Sequence, residues 1–269
     1  MTVEKVPIEK FPGVVRLQNL AAKYYERKLF AEATRSDRIP KHLAIILDGN
    51  RRFASEKGVK RFKGHIFGAK KLEEVIGWCQ ELGIKHITVY AFSSENFTRT
   101  DEEVKLILNL LASKFREVAK DARVHKYKIK IRAIGNLGSL PSQVQKAIEE
   151  AQEATQVYDG NTLNIAVGYG GRAELAEAVR KICERIKNGE LNPVDVDENL
   201  ISNYLYTAGL PDPDLIIRTS GEERLSGFLL WQSAYSELYF CEANWPSFSK
   251  IDFLRAIRTY QSRERRFGK

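Results

Sequence analysis

A carboxylate followed by a glycine, an amide and two guanidinium groups marks the richest segment of this 269-residue chain: Asp48-Gly49-Asn50-Arg51-Arg52. Glycine lets backbone approach a ligand closely. A helix start beside it offers free N–H groups to a phosphate. Lys57, Lys60, Arg61, Lys63 and His65 follow. An acidic residue at the base of so basic a segment suggests Mg²⁺ held jointly by a carboxylate and a diphosphate. The plain alternative makes Asp48 a helix N-cap and the basic residues a solvated face. Spacing alone leaves both open.

Three further segments carry polar groups after apolar runs. Ser93-Ser94-Glu95-Asn96-Phe97-Thr98-Arg99 offers donors and acceptors closed by an arginine, or is simply a capped loop. Arg218 to Ser226 sets Arg218, Arg224 and three hydroxyls around Gly221. That suits an anion cradle, because arginine forks onto phosphate. It equally suits a surface turn with an Arg–Glu pair. Glu237 sits in the apolar stretch AYSELYF and is a metal ligand or, on the residues alone, more readily a paired structural charge. Gly168-Tyr169-Gly170-Gly171-Arg172-Ala173 satisfies a loose dinucleotide fingerprint. The strand and acidic residue that should follow are replaced by the turn Asn188–Pro193. A tight turn packed against another backbone is the better reading. The chain has no P-loop, no G-x-S-x-G elbow, no H-E-x-x-H and no D-D-x-x-D helix signature.

The elements that must position these groups alternate. Apolar runs at 42–47, 86–92, 128–134, 162–167, 214–218 and 236–240 read as strands. Helical periodicity covers 14–33, 68–82, a segment from Thr100, 141–157, 171–187, 197–206 and 249–264. Pro141 is expected in the first turn of its helix. A basic loop is expected up to Gly64. The pattern predicts an α/β fold with a single, mainly parallel six-stranded sheet flanked by helices. Ligands of such sheets bind outside the carboxyl ends of the strands. The polar segments above follow those ends.

Composition narrows the class. Hydrophobic residues make up 43%, enough for a sizeable core and against disorder. Forty-three Lys and Arg against 35 Asp and Glu leave a net +8, which points to an anionic partner. No nucleic-acid-binding module accompanies it. Cys79, Cys183 and Cys241 are odd in number and far apart, which disfavours a disulfide framework or structural zinc and suits a reducing cytoplasm. No signal peptide or membrane-spanning run is expected.

Taken together, HLAIILDGNRRFA (42–54), RFKGH (61–65), YAFSSENFTR (90–99), LNIAVGYGGR (163–172), DLIIRTSGEERLSGFLLWQSAYSELYF (214–240), WPSF and RERRFG resemble one family, the cis-prenyltransferases. The likeness covers about 42–268, in order. It implies elongation of an allylic prenyl diphosphate by isopentenyl diphosphate units, each new double bond being cis, in a Mg²⁺-dependent homodimer. By position, the resemblance makes Asp48 the catalytic aspartate and a Mg²⁺ ligand, and Asn96 the proton acceptor. Gly49, Asn50, Arg51, Arg52, Phe53, Arg61 and His65 would surround the primer. Ser93, Ser94, Glu95, Phe97 and Arg99 would form the strand-end substrate loop. Arg218, Arg224, Leu225 and Ser226 would take isopentenyl diphosphate. Glu237 would be the second Mg²⁺ ligand, from either subunit. Arg266-Phe267-Gly268 resembles a C-terminal element that reaches across the dimer.

Arg51, Phe53 and Phe97 replace the Gly and Trp of many bacterial members and match archaeal and eukaryotic variants. A non-catalytic accessory subunit of the same fold is the alternative; retention of Asp48, Arg52, Arg218, Arg224 and Glu237 argues against it. An apolar product needs an apolar tunnel. Leu106 and Leu110 form a second apolar row on the helix after Thr100, so one row packs on the sheet and the other lines the tunnel, unless the helix is simply buried all round. Residues 1–40 read as a helical N-terminal extension before a catalytic domain spanning 41–269. A cytoplasmic enzyme follows, with peripheral membrane contact through its lipid product.

Overall fold

The computed structural model describes residues 12–263. Six strands form one parallel sheet: β1 (His42–Ile46), β2 (His86–Ser93), β3 (Ile129–Ile134), β4 (Asn161–Tyr169), β5 (Leu215–Arg218) and β6 (Glu237–Phe240). Their order is β3-β4-β2-β1-β5-β6. Apolar residues on both faces explain the parallel arrangement, since helices or loops must cover each side. Leu43 and Ile45 join one hydrophobic cluster, whereas Ala44 and Ile46 join a second.

Helices α1 (Pro12–Arg35), α2 (Asn50–Glu56), α3 (Arg61–Glu81), α4 (Asp101–Val118), α5 (Ala122–Lys126), α6 (Ser142–Thr155), α7 (Gly171–Lys187), α8 (Glu198–Tyr204) and α9 (Lys250–Ser262) fill the connections. The larger cluster draws on α1, α3, α4, α6 and α9. α1 packs against α9 at the other end of the chain. The first turn of α4 carries Asp101, Glu102 and Glu103 at the positive end of the helix dipole.

Some expectations shift. The basic segment is not a loop up to Gly64, because α3 already starts at Arg61. Gly64 and Gly68 disguise it. A Cβ on Gly64 would lie 2.0 Å from the Asn50 carbonyl oxygen, and one on Gly68 2.2 Å from Asn50 Oδ1. These glycines let α3 lie directly against the start of α2. Residues 94–98 form a 3-10 turn rather than an open loop. Pro141 is the N-cap of α6, just outside its first turn, and α5 is an additional short helix.

The chain steps outward from β1 through β2 and later returns to β1's other side with β5. β1 is therefore where strand order reverses, the place at which such sheets bind ligands. Ile46 stands beside Tyr90 on one side and Arg218 on the other.

Candidate active site

Asp48 stands two residues beyond β1 and its backbone is pinned. Its carbonyl oxygen accepts Trp245 N–H at 2.9 Å and Thr219 Oγ1–H at 2.7 Å. Gly49, not Asp48, is the N-cap of α2, so the capping reading of the aspartate does not hold. Gly49 has φ +98°, and its N–H donates to Asp48 Oδ1 at 2.7 Å. This leaves Oδ2 to face Arg218, whose Nη2 is 2.9 Å away, and Arg52, whose Nη2 is 3.7 Å away.

A cavity of about 430 Å³ opens at this end of the sheet. Asp48, Asn50, His65, Ser93, Glu95, Asn96, Arg99, Arg218 and Ser226 all line it. The structure thus brings together residues from five separated segments. Three of the five buried side-chain atoms without a hydrogen-bond partner among the described residues belong to this lining: Asn50 Oδ1, His65 Nε2 and Arg218 Nε. Buried polar groups are ordinarily satisfied. Such a concentration suits a polar ligand.

Electrostatics sort the roles. Arg218 is buried and bridges Asp48, Ser226 Oγ at 2.8 Å and the Arg224 carbonyl oxygen. Arg99 donates to Glu103 at 2.9 Å. Burial, with Arg99 and Arg51 nearby, pushes His65 down to about 4. It is neutral near pH 7, so its 3.8 Å approach to Glu103 is not an ion pair. Asn96 Oδ1 accepts the Ser93 N–H at 3.1 Å, which fixes the amide but occupies its oxygen.

Other expected residues lie around the cavity. Arg52 crosses to the Ser220 carbonyl oxygen at 2.8 Å and Glu222 at 3.0 Å, and Arg224 also pairs with Glu222. Arg51 and Arg61 are exposed. Phe53 meets Phe67 edge-on at 5.6 Å, and Phe97 meets Phe92 at 4.9 Å; neither Phe53 nor Phe97 lines the cavity. Leu225 packs into the cluster on the Ile46 face, and Ser94 Oγ abuts Gly170.

Glu237 is elsewhere. It pairs in register with Leu215, at the strands' amino ends, and binds Arg263 at 2.6 Å. Asp48 lies beyond the residue paired with Arg218, so the two carboxylates of one chain are separated by roughly 16 Å along the strands alone. They do not form one intrachain metal site. Among the described residues no group of three or more His, Cys, Asp or Glu side chains is placed to hold a metal. Asp48 still suits Mg²⁺, which typically takes one or two carboxylates and completes its shell with phosphate oxygens and water. Arg266–Gly268 lie outside the described residues.

A second cavity, about 270 Å³, shares Leu47, Asn50, His65, Ala91 and Ile107 with the first. It runs between α3 and α4 over Leu72, Ile76, Leu110, Leu111 and Val118. Its position and largely apolar lining suit the apolar tunnel expected for the product. Leu110 lines it but Leu106, one turn earlier on the same face of α4, does not; Ile107, Leu110, Leu111 and Val118 line it from α4. Charged side chains line it too. Lys114 lies 3.1 Å from Glu73 and 2.6 Å from Glu117, and Arg123 2.6 Å from Asp121.

This geometry agrees with the comparisons. Residues 46–268 match the Prenyltransf family model of undecaprenyl diphosphate synthases. The chain belongs to this family, the cis-prenyltransferases. It is 54% identical over 249 residues to the tritrans,polycis-undecaprenyl-diphosphate synthase (geranylgeranyl-diphosphate specific) of Methanocaldococcus jannaschii, covering 92% of this chain and 89% of that one. Identity to the synthase of the same name from Methanopyrus kandleri is 52%, covering 92% and 91%. A crystal structure of lavandulyl diphosphate synthase from Lavandula x intermedia with dimethylallyl diphosphate superimposes with TM-score 0.80 at 37% identity, covering 86% and 98%. The protein is a prenyl-transferring enzyme that makes cis-polyprenyl diphosphates, not an accessory subunit.

Sequence reading missed several contributors. Glu103, in the first turn of α4, anchors Arg99, which lies just before that helix. Glu222 steers both Arg52 and Arg224. Tyr90 and Trp245 line the two cavities but carry no signal beyond an apolar run and a quoted motif.

Proposed function

We propose that the chain elongates a geranylgeranyl-type allylic diphosphate with isopentenyl diphosphate in cis, to a polyprenyl diphosphate of undecaprenyl class. The carrying observation is the pairing of two joined cavities, one polar and rich in arginine, the other apolar. An amphiphile with a diphosphate head and a growing hydrocarbon tail fits both. The relatives' names supply the primer and product size.

In this reading Asn50, Arg51, Arg52 and the N–H groups at the start of α2 hold the primer's diphosphate, with Arg61, His65 and Arg99 beside it. Helix starts suit this task. Arg218, Arg224 and Ser226 hold isopentenyl diphosphate. Asp48, with diphosphate oxygens, would hold Mg²⁺, which when bound supplies positive charge to the departing diphosphate. The arginines stabilise the same developing charge in a site shielded from water; one such donor typically contributes about 3–4 kcal/mol. A carbon–carbon double bond is a weak nucleophile, so holding it against the allylic carbon is a large part of catalysis. With its oxygen taken by Ser93 N–H, neutral Asn96 orients substrate, and the proton leaves to a diphosphate oxygen.

The enzyme works as a homodimer. β6 is a half-buried edge strand. A two-fold partner across that edge runs antiparallel, which carries its amino ends, and its copy of Glu237, toward this chain's strand carboxyl ends. The lipid product brings the enzyme to a membrane surface. Among the described residues no helix is long and apolar enough to cross one.

Incubation with labelled isopentenyl diphosphate, Mg²⁺ and primers of several lengths, followed by product sizing, tests the reading. Geranylgeranyl diphosphate is expected to be extended best. Absence of elongation with every primer overturns it.

A further inference from the structure

The glycine-rich turn after β4 packs tightly against neighbouring backbone and is built into the site. A Cβ on Gly170 would lie 2.5 Å from Ser94 Oγ. One on Gly171 would lie 2.5 Å from the Gly227 carbonyl oxygen, which accepts Gly171 N–H at 2.9 Å. The turn is thus wedged between the strand-end loop after β2 and the segment that follows Ser226.

That second segment is conformationally costly. Ser226 has φ +48°, Gly227 +78° and Leu229 +47°, three left-handed residues within four. Non-glycine residues hold such angles only where their surroundings impose them. The restraint comes from Tyr169, the last residue of β4, which is wholly buried. Its Oη accepts Leu229 N–H at 3.2 Å and donates to Glu174 Oε2 at 2.5 Å. Glu174 is itself buried and accepts Tyr206 N–H at 2.8 Å and both reaches of the Gln232 amide at 3.3 Å. Tyr90 donates to the Tyr169 carbonyl oxygen at 3.1 Å and stacks on Phe228 at 4.7 Å. A carboxylate with three donors, one of them shared by both its oxygens, beside one buried tyrosine is a rigid anchor, and the cavity chemistry does not otherwise use it.

We infer that Tyr169 and Glu174 are positioning residues for isopentenyl diphosphate: they hold the Ser226–Leu229 turn in its left-handed path, so that Ser226 and the Arg224 carbonyl stay locked on Arg218. The inference rests on the proposed role of Arg218, Arg224 and Ser226. It assigns a task to a buried carboxylate and a motif that touch neither substrate.

Tyr169→Phe removes the hydroxyl and nothing else. The expected result is a rise of about tenfold in the KM for isopentenyl diphosphate, as the turn loses the hydrogen bond that holds Leu229, with primer KM and kcat within about twofold. Glu174→Gln, which keeps the volume, is expected to move the same constant in the same direction. A purely structural role would lower the melting temperature and move both KM values together, or neither; either pattern overturns the inference. Should neither variant fold, hydrogen exchange at the Leu229 amide of the unaltered protein decides. Slow exchange is expected, and exchange at the rate of a surface loop overturns the anchor. Absence of elongation by the unaltered enzyme would instead overturn the proposed function, and the Leu229 readout is independent of it.

Discussion

Arg218 Nη2 lies 2.9 Å from Asp48 Oδ2, and the same guanidinium reaches Ser226 Oγ at 2.8 Å. In the proposed reading one buried arginine therefore joins the primer side of the cavity to the isopentenyl diphosphate side. With no substrate bound, the aspartate neutralises it. With both diphosphates in place, it would be shared between two anions. Asp48→Asn keeps the size of the side chain and removes its charge. Turnover of labelled isopentenyl diphosphate should fall about 10²–10³-fold, the usual effect of one lost electrostatic element. Full activity in Asp48→Asn would refute the assignment while leaving the fold intact.

Gly49 tolerates no side chain. Its φ is +98°, and an added Cβ would lie 2.4 Å from Asn244 Oδ1 and 2.9 Å from Asn244 Cα. Gly49→Ala should destabilise the protein by about 1–3 kcal/mol. It should also weaken primer binding, because the residue ties Asp48 to the start of α2. Denaturant unfolding and primer KM measure the two effects.

Tunnel geometry predicts product length. Leu110→Trp fills the apolar cavity between α3 and α4 and should shorten the products at nearly unchanged initial rate. Lys114→Met removes the hub between Glu73 and Glu117 and puts an apolar side chain on the tunnel wall. Longer products are expected. Chromatographic sizing that shows an unaltered distribution in both variants would remove the cavity from product control.

Acid should loosen the sheet. His42 is buried between the Pro211 carbonyl oxygen at 2.6 Å and Thr88 Oγ1 at 2.7 Å, and burial pushes its value from 6.5 down to about 4. Its folded value is depressed, so the unfolded chain takes up the proton first. The associated stability is fully present above pH 6.5 and declines as pH falls toward 4, by at most about 3 kcal/mol. Burial depresses His65 too, so it adds to the same slope. Melting curves between pH 7 and 4 should be flatter for His42→Gln than for the unaltered protein.

Much of this was readable in the residues. The order of strands and helices follows from apolar period, and the cavity lining largely from polar groups placed just after strands. Asp48, Asn96, Arg218 and Ser226 were found in that way, sharpened by resemblance. What could not be read depends on packing between distant segments. α3 hid its first two turns because Gly64 and Gly68, poor helix formers, are there to meet α2. Leu110 of the second apolar row meets the cavity and Leu106 does not, because periodicity shows that a helix has two apolar faces but not how far along a face a void extends. That Glu237 stands at the opposite end of the sheet from Asp48 could not be read, because a linear sequence does not say at which end of a sheet a residue stands. Glu174 gave no signal at all, since a glutamate near a helix start is ordinarily a solvated charge.

The opposite placement of Asp48 and Glu237 along the sheet makes the enzyme open to a genetic experiment. If each active site draws one carboxylate from each subunit, two defective alleles can cure one another. Asp48→Ala and Glu237→Ala protomers, inactive alone, would on mixing assemble hybrids in which one of the two sites carries neither lesion, and activity would return to a fraction of normal. Carboxylates confined to single chains would allow no such complementation.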